Sequence, residues 1–351
     1  MKFGLFGSAL AKRGGPDLDS GQGFREWVDY VVEAEALGYT SIFVVEHHFT
    51  GFGQVSASLN LLTWAAARTT TLRLGTAVIV LPWHNPVLLA EQAATIDLLS
   101  GGRLDFGVGK GYRHPEFIGF CIPQSEADER FDESLAVILK AWTSDERFSH
   151  HGKYWHFEDI IVEPPTAQKP HPPVWMAAGN PDSIRKVAQR GCKLLLDQHA
   201  SMPLTIERFN IYKAEVEKSG RRFDPMDVGV CRAFFVTRTA EEKAKAIATR
   251  YANQQRLVKA GSAPDAKNPS SLLSFDQTLD AAGESALFGT PDEIAAKLEM
   301  LRSAGIEHLL LNGPTGSREN LQAFAQHIMP AFAGPRAGQP MSRVKPALVN
   351  P

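Results

Sequence analysis

The chain has 351 residues, 44% hydrophobic and 22% charged, with 37 basic against 39 acidic residues and a formal charge of −2. That balance offers no electrostatic case for binding nucleic acid or an anionic membrane. Three widely spaced cysteines (Cys121, Cys192, Cys231) without a C-x-x-C exclude a disulfide framework or zinc module, and with no apolar leader at Met1–Phe6 the expected home is a reducing cytoplasm.

Strand-like and helix-like segments alternate from the start. Residues 2–7 form a short apolar run. Phe24, Trp27, Val28 and Val31 recur at helical spacing, and Gly38 follows as a terminator. Residues 41–46 read as the next strand, 57–68 as an amphipathic helix and 73–81 (RLGTAVIVL) as one long strand buried on both faces. A helix over 86–99 ends at Ser100-Gly-Gly-Arg103, and residues 104–109 give a fourth strand. In the second half, 126–142 is helical and the aromatic stretch 147–163 reads as a hairpin-like excursion. Strands are expected at 173–178, 193–197, 228–236 and 306–311, separated by helices beginning near 181, 204 and 240. Thr290-Pro-Asp-Glu293 is a capping box with proline at the first helical position. A last helix is expected over 318–332.

Eight strands strictly alternating with at least eight helices predict a parallel sheet, and the count suits a (β/α)8 TIM barrel. No G-x-G-x-x-G follows the first strand, which argues against the rival open doubly wound sheet. The reading is a single domain over residues 1–333, with insertions after strands four and seven and a loose tail over 334–351. The polar stretch 261–289 is a candidate cover for the site.

Functional groups of such a barrel collect where strands end. Glu46, His47 and His48 follow the second strand, Trp83 and His84 the third, Lys110, Tyr112 and Arg113 the fourth, Gly179 and Asn180 the fifth, and Gln198 and His199 the sixth. Strand alternation puts Glu46 and His48 on one side and His47 on the other. Glu46 and His48 read as a hydrogen-bonded pair at the rim. A metal would need His84 or His199 as third ligand, and no second close ligand pair supports one. His47 is the candidate acid/base, because imidazole titrates near neutrality. Ala178-Gly-Asn-Pro-Asp-Ser183 ends a strand and opens a helix. Its N-terminus suits either a phosphate, with Lys110 and Arg130 as countercharges, or an ordinary Asn180 cap.

EHHFTGFG (46–53), GTAVIVLP (75–82) and LLSGGRLDFGVGKG (98–111) resemble the bacterial luciferase-like, flavin-dependent monooxygenases, the first two especially the luciferase α-subunit pattern. MKFGLF (1–6) and VWMAAGNPDS (174–183) fit the same pattern. The resemblance implies a TIM barrel that holds reduced FMN at its C-terminal face. The flavin would be supplied by a separate reductase and would react with O2 to give a hydroperoxide that oxidises a small aldehyde-like or other apolar substrate. It also implies that His47 is the essential histidine beside the flavin. Ala77–Val78 aligns with a non-prolyl cis peptide under the ring, with Gly109 next to it. Lys110, Arg130, Ala178, Gly179, Asn180 and Ser183 fall at phosphate-binding positions. A homodimer through the helices at 57–68 and 86–99 is implied too, their alanines permitting close approach.

There are departures. Gly109 replaces the reactive thiol of the luciferase α subunit, PWHNP (82–86) differs, and Ala178-Gly179 replaces an acidic residue and a serine. Light emission is therefore doubtful. A non-catalytic flavin binder and a 5-deazaflavin-dependent oxidoreductase are the alternatives.

Overall fold

A computed structural model of the chain describes residues 1–262, 273–314 and 317–334. Eight parallel strands close on themselves: β1 (Lys2–Gly7), β2 (Ser41–Val44), β3 (Arg73–Thr76, resumed at Ile79–Val80), β4 (Leu104–Gly109), β5 (Val174–Ala177), β6 (Lys193–Leu196), β7 (Val228–Val236) and β8 (His308–Asn312). β1 lies between β8 and β2, and β7 closes the ring by pairing with both β6 and β8. The TIM barrel read from the alternation is the observed architecture.

The strand expected over 73–81 is interrupted. The Ala77–Val78 peptide is cis, the ladder breaks there, and a 3-10 turn at Leu81–Trp83 follows. Period alone could not show this, since the run is apolar throughout. The glycines of β4 answer to the same neighbour. A Cβ on Gly107 would stand 1.7 Å from the Thr76 carbonyl oxygen, and one on Gly109 would meet Val78 at 2.5 Å. Thr76 Oγ1 bonds both the oxygen and the nitrogen of Gly107, at 2.7 and 2.8 Å.

The Ser-Gly-Gly-Arg turn ends the helix Pro86–Leu99, and its arginine joins elements. Arg103 donates to the carbonyls of Ala66, Thr69, Leu72 and Ser100 and to Thr69 Oγ1, which satisfies the open carboxyl end of the helix Ser58–Arg68. Asn85 caps the start of Pro86–Leu99 by accepting from Val87 and Leu88 N–H. The capping box at Thr290 and Glu293 forms as read.

Two insertions extend the barrel. Phe148–His151 and His156–Ile160 make the expected hairpin after β4, and its tip sits on Glu133, whose carboxylate accepts N–H groups from Lys153, Tyr154 and Trp155. After β7 a 22-residue helix, Ala240–Gly261, leads to a short helix, Leu279–Glu284, and a strand, Leu287–Gly289, paired to the end of β7. The region 261–289 is therefore partly regular; residues 263–272, like 335–351 of the expected tail, lie outside the described residues. The last helix divides at Ile328, ahead of Pro330.

The lumen is apolar at mid-height, with Phe43, Trp175, Leu195, Cys231 and Leu310 and, above them, Phe6, Ala77 and Val78. Its base is polar: Trp175 donates to Asp105, which Arg73 grips with two hydrogen bonds of 2.7 and 2.8 Å. The C-terminal mouth is thus the open end above an apolar plug. Among the described residues no helix is long and apolar enough to cross a membrane.

Candidate active site

The chain leaves β2 at Val44 still extended, so Glu46 and His48 face one way and His47 the other. Glu46 is 2% exposed. Its Oε1 meets His48 Nε2 at 2.9 Å and His84 Nε2 at 2.7 Å, while Oε2 accepts Val80 N–H at 2.9 Å. Burial acts to raise the Glu46 pKa, but these partners hold it below the usual carboxylate range. The rim pair is thus a trio that ties the end of β2 to the loop after β3. Among the described residues no group of three His, Cys, Asp or Glu side chains converges as metal ligands.

His47 turns the other way, its side chain 12% exposed. Nδ1 lies 3.1 Å from Glu116 Oε1, which also accepts His48 N–H at 2.9 Å. A carboxylate only accepts, so Nδ1 carries the proton and Nε2 presents its lone pair. Nε2 makes no hydrogen bond among the described residues. Burial lowers the His47 pKa; Glu116 opposes that and Arg113 adds to it, and the net shift is downward. The Tyr112 ring stands edge-on to the imidazole, with centroids 6.3 Å apart.

Glu116 escaped the sequence reading because it lies 69 residues beyond His47. The available signal was His114-Pro-Glu116: proline at a helix start with an acid in the first turn. It opens the helix His114–Gly119, which places the carboxylate. Trp83, a candidate wall residue, stacks on Phe120 at 5.3 Å and closes the rim beside His48.

The other candidates spread around the mouth. Ala77, Val78 and Gly109 meet at the lumen wall between β3 and β4. Ala178 is buried, and Gly179 follows at the end of β5, where a Cβ would lie 3.6 Å from Arg208. Asn180 is the N-cap of the helix Pro181–Gln189, accepting from Ser183 N–H at 2.9 Å. Lys110 is exposed and paired with Asp128 at 2.7 Å. Arg130 pairs with Glu126 at 2.8 Å and lies over the Tyr154 ring at 4.2 Å. Neither cation touches the Gly179 loop in these contacts. Arg208 does approach it, while paired with Asp197 at 2.7 Å.

Past β6, Gln198 and His199, expected at the mouth, join a polar cluster whose arginines the sequence did not announce. Fully buried Arg232 donates to the carbonyls of Asp197 and Cys231 and to Thr205 Oγ1. Arg250, on the long helix after β7, donates to the Gln198 and Ala282 carbonyls. Burial lowers both arginines to about 10. His199 stacks on Phe275 at 4.2 Å and is pushed down to about 4 by burial and by Arg250.

The barrel thus carries a proton-bearing imidazole at one rim, an apolar lumen and a cis peptide in its wall. Residues 1–308 match the family described as luciferase-like monooxygenase. The chain belongs to that family. Relatives include an uncharacterised protein of Sinorhizobium fredii, 32% identical over 56% of this chain, whose own length is spanned only to about half, 55%. The oxygenase component of a flavin-dependent trigonelline monooxygenase from Acinetobacter baylyi is 24% identical over 95% of this chain and 96% of its own. An F420-dependent glucose-6-phosphate dehydrogenase from Amycolatopsis mediterranei is 27% identical over 88% and 94%. Among solved structures, the monooxygenase RslO1 from Streptomyces bottropensis superimposes with a TM-score of 0.81 at 26% identity, covering 95% of this chain and 100% of that one. The relatives thus include a flavin-dependent monooxygenase component and an F420-dependent dehydrogenase.

Proposed function

We propose that this chain is the oxygenase component of a two-component FMN-dependent monooxygenase, fed reduced FMN by a separate reductase. The observation that carries the reading is His47: an imidazole on the loop that leaves β2, fixed at Nδ1 by Glu116, with Nε2 unpaired among the described residues. The residues present fit a flavin. The wall at Ala77, Val78 and Gly109 is smooth and has no polar side chain, which suits a flat ring. Gly179, Asn180 and Ser183 open a helix N-terminus, which suits its phosphate; Lys110 and Arg130 stay the proposed countercharges and would have to leave Asp128 and Glu126 to serve it. When bound, the flavin would supply the activation of O2. The chain supplies the rest. His47 moves a proton at Nε2, Glu116 holds it in that tautomer, and Phe6, Val78 and the rim aromatics keep water out.

The test has two parts. Wild type should bind reduced FMN more tightly than reduced 5-deazaflavin and should turn over with FMN, a reductase and O2. His47→Ala should keep FMN binding and lose about a hundredfold in turnover. Tighter binding of the deazaflavin would favour the hydride-transfer alternative, and unchanged turnover in the variant would reduce the chain to a binder.

A homodimer through Ser58–Arg68 and Pro86–Leu99 belongs to the same proposal. Of the six alanines, Ala65, Ala66, Ala90, Ala93 and Ala94 are buried within the protomer and serve its own packing, and Ala67 alone of the six is exposed. Exposed Trp64, Leu88, Leu98 and Leu99 offer the apolar surface instead. Native mass measurement should give twice the chain mass.

A further inference from the structure

Arg113 stands in the loop after β4 and is 6% exposed. Its guanidinium has one polar partner among the described residues, Tyr112 Oη at 3.3 Å, and lies 5.7 Å from that ring's centroid. No carboxylate among the described residues pairs with it. The nearest acid in sequence, Glu116, gives Oε1 to His47 and to His48 N–H. Other buried or half-buried arginines are served differently. Arg73 has Asp105, Arg208 has Asp197, Arg103 has five acceptors, and Arg232 and Arg250 have carbonyls and hydroxyls at their terminal nitrogens, although Nε of Arg208 and of Arg232 is left without a partner among the described residues. The two terminal nitrogens of Arg113 have no hydrogen-bond partner among the described residues, so the fork is open to a ligand that reaches it. Tyr112, which the guanidinium touches, is also the ring set against His47.

We propose that Arg113 recognises an anionic group on the molecule oxidised beside His47, so that the substrate is a small organic carboxylate rather than an uncharged aldehyde. The inference rests on the reading of His47 as the acid/base of the site. A planar guanidinium offers two parallel N–H donors matched to a carboxylate, a fork that an aldehyde cannot use. The competing role is structural. A Cβ on Gly261, at the end of the helix Ala240–Gly261, would lie 3.7 Å from Arg113 Cγ, and a cation there complements the helix's carboxyl end. That role predicts a change in stability and no ligand preference.

The test is calorimetric titration of the full chain, with and without FMN, using hexanoate and benzoate against hexanamide and benzamide. In wild type at least one acid should bind tenfold or more tighter than its amide, about the least a charge-assisted pair contributes. Arg113→Met should bring acid and amide level, Arg113→Lys should keep part of the difference, and FMN affinity should stay the same in all three. Equal or absent binding of acids and amides in wild type overturns the proposal. So does a preference that survives Arg113→Met, or a loss of FMN affinity in that variant, which would assign the arginine to the cofactor. Should Arg113→Met not fold, Arg113→Gln is judged by the same criterion. A chain that prefers acids but takes up no FMN would sink the flavin reading and leave this one standing.

Discussion

At the scale of single residues, the site turns on how two histidines one position apart are used. His48 is spent on Glu46, a carboxylate already shared with His84 and the Val80 N–H, and so serves the rim. His47 keeps one nitrogen without a hydrogen bond among the described residues, because Glu116 engages only the other. The neutral imidazole is the form that accepts a proton, and its pKa lies below the usual 6.5. The acid limb of the pH–rate profile should therefore fall below 6.5. Glu116→Gln keeps an acceptor for Nδ1–H but removes a charge that raises the His47 pKa, so the limb should move to still lower pH with turnover reduced less than tenfold. Glu116→Ala frees the ring and should cost about a hundredfold. A limb that stays in place in Glu116→Gln would show that another group titrates. The alternation of side chains was enough to separate His47 from its neighbours. The Glu116 contact was not legible, because nothing local links residues 69 apart.

At the scale of elements, the sequence carried most of what fixes helices and strands and little of what interrupts them. Caps were readable from short-range chemistry: the Thr290 box and the Asn180 cap form with the expected acceptors. The break at Ala77–Val78 was hidden from periodicity, since buried apolar residues look alike in a continuous strand and in a kinked one; only the family resemblance marked it. The helix Leu279–Glu284 was hidden inside a polar stretch because its Thr278 cap is followed by few apolar residues. Arg103 gives an element-scale prediction. Its head closes the carboxyl end of Ser58–Arg68 through the Ala66 and Thr69 carbonyls. Arg103→Ala should lower stability by about 2–3 kcal/mol, as expected where hydrogen bonds to a charged group are lost and their acceptors left half-buried. Denaturant unfolding with an unchanged slope would check it, and Arg103→Lys should recover only part, having no fork.

At the scale of the whole molecule, the barrel holds two histidines at opposite ends, half-buried His199 near the mouth and buried His308 at the base, with pKa values pushed down to about 4 by desolvation and, for His199, by Arg250 as well. Each is neutral in the fold at neutral pH. Between pH 6.5 and 4 the unfolded chain takes up protons that the folded chain refuses, so stability is full above 6.5, falls through that window and levels off below it as far as these groups are concerned. Thermal midpoints measured from pH 7 to 4 should decline accordingly, and His308→Gln should flatten the decline; an unchanged slope would mean other groups set it. The barrel itself was legible because alternation and strand count are properties of the entire sequence. Which parts meet across its mouth was not. The helix Ala240–Gly261 begins after β7, passes Gln198 and His199 at β6 through Arg250 and Gln254, and finishes against Arg113 beside β4. Such a rod is a ruler. It is about 33 Å long and turns about 100° per residue, so one residue inserted between Arg250 and Gly261 would leave its near end seated and swing its far end off the loop that carries Glu116. The phase of that helix, more than its composition, keeps two distant rims in step.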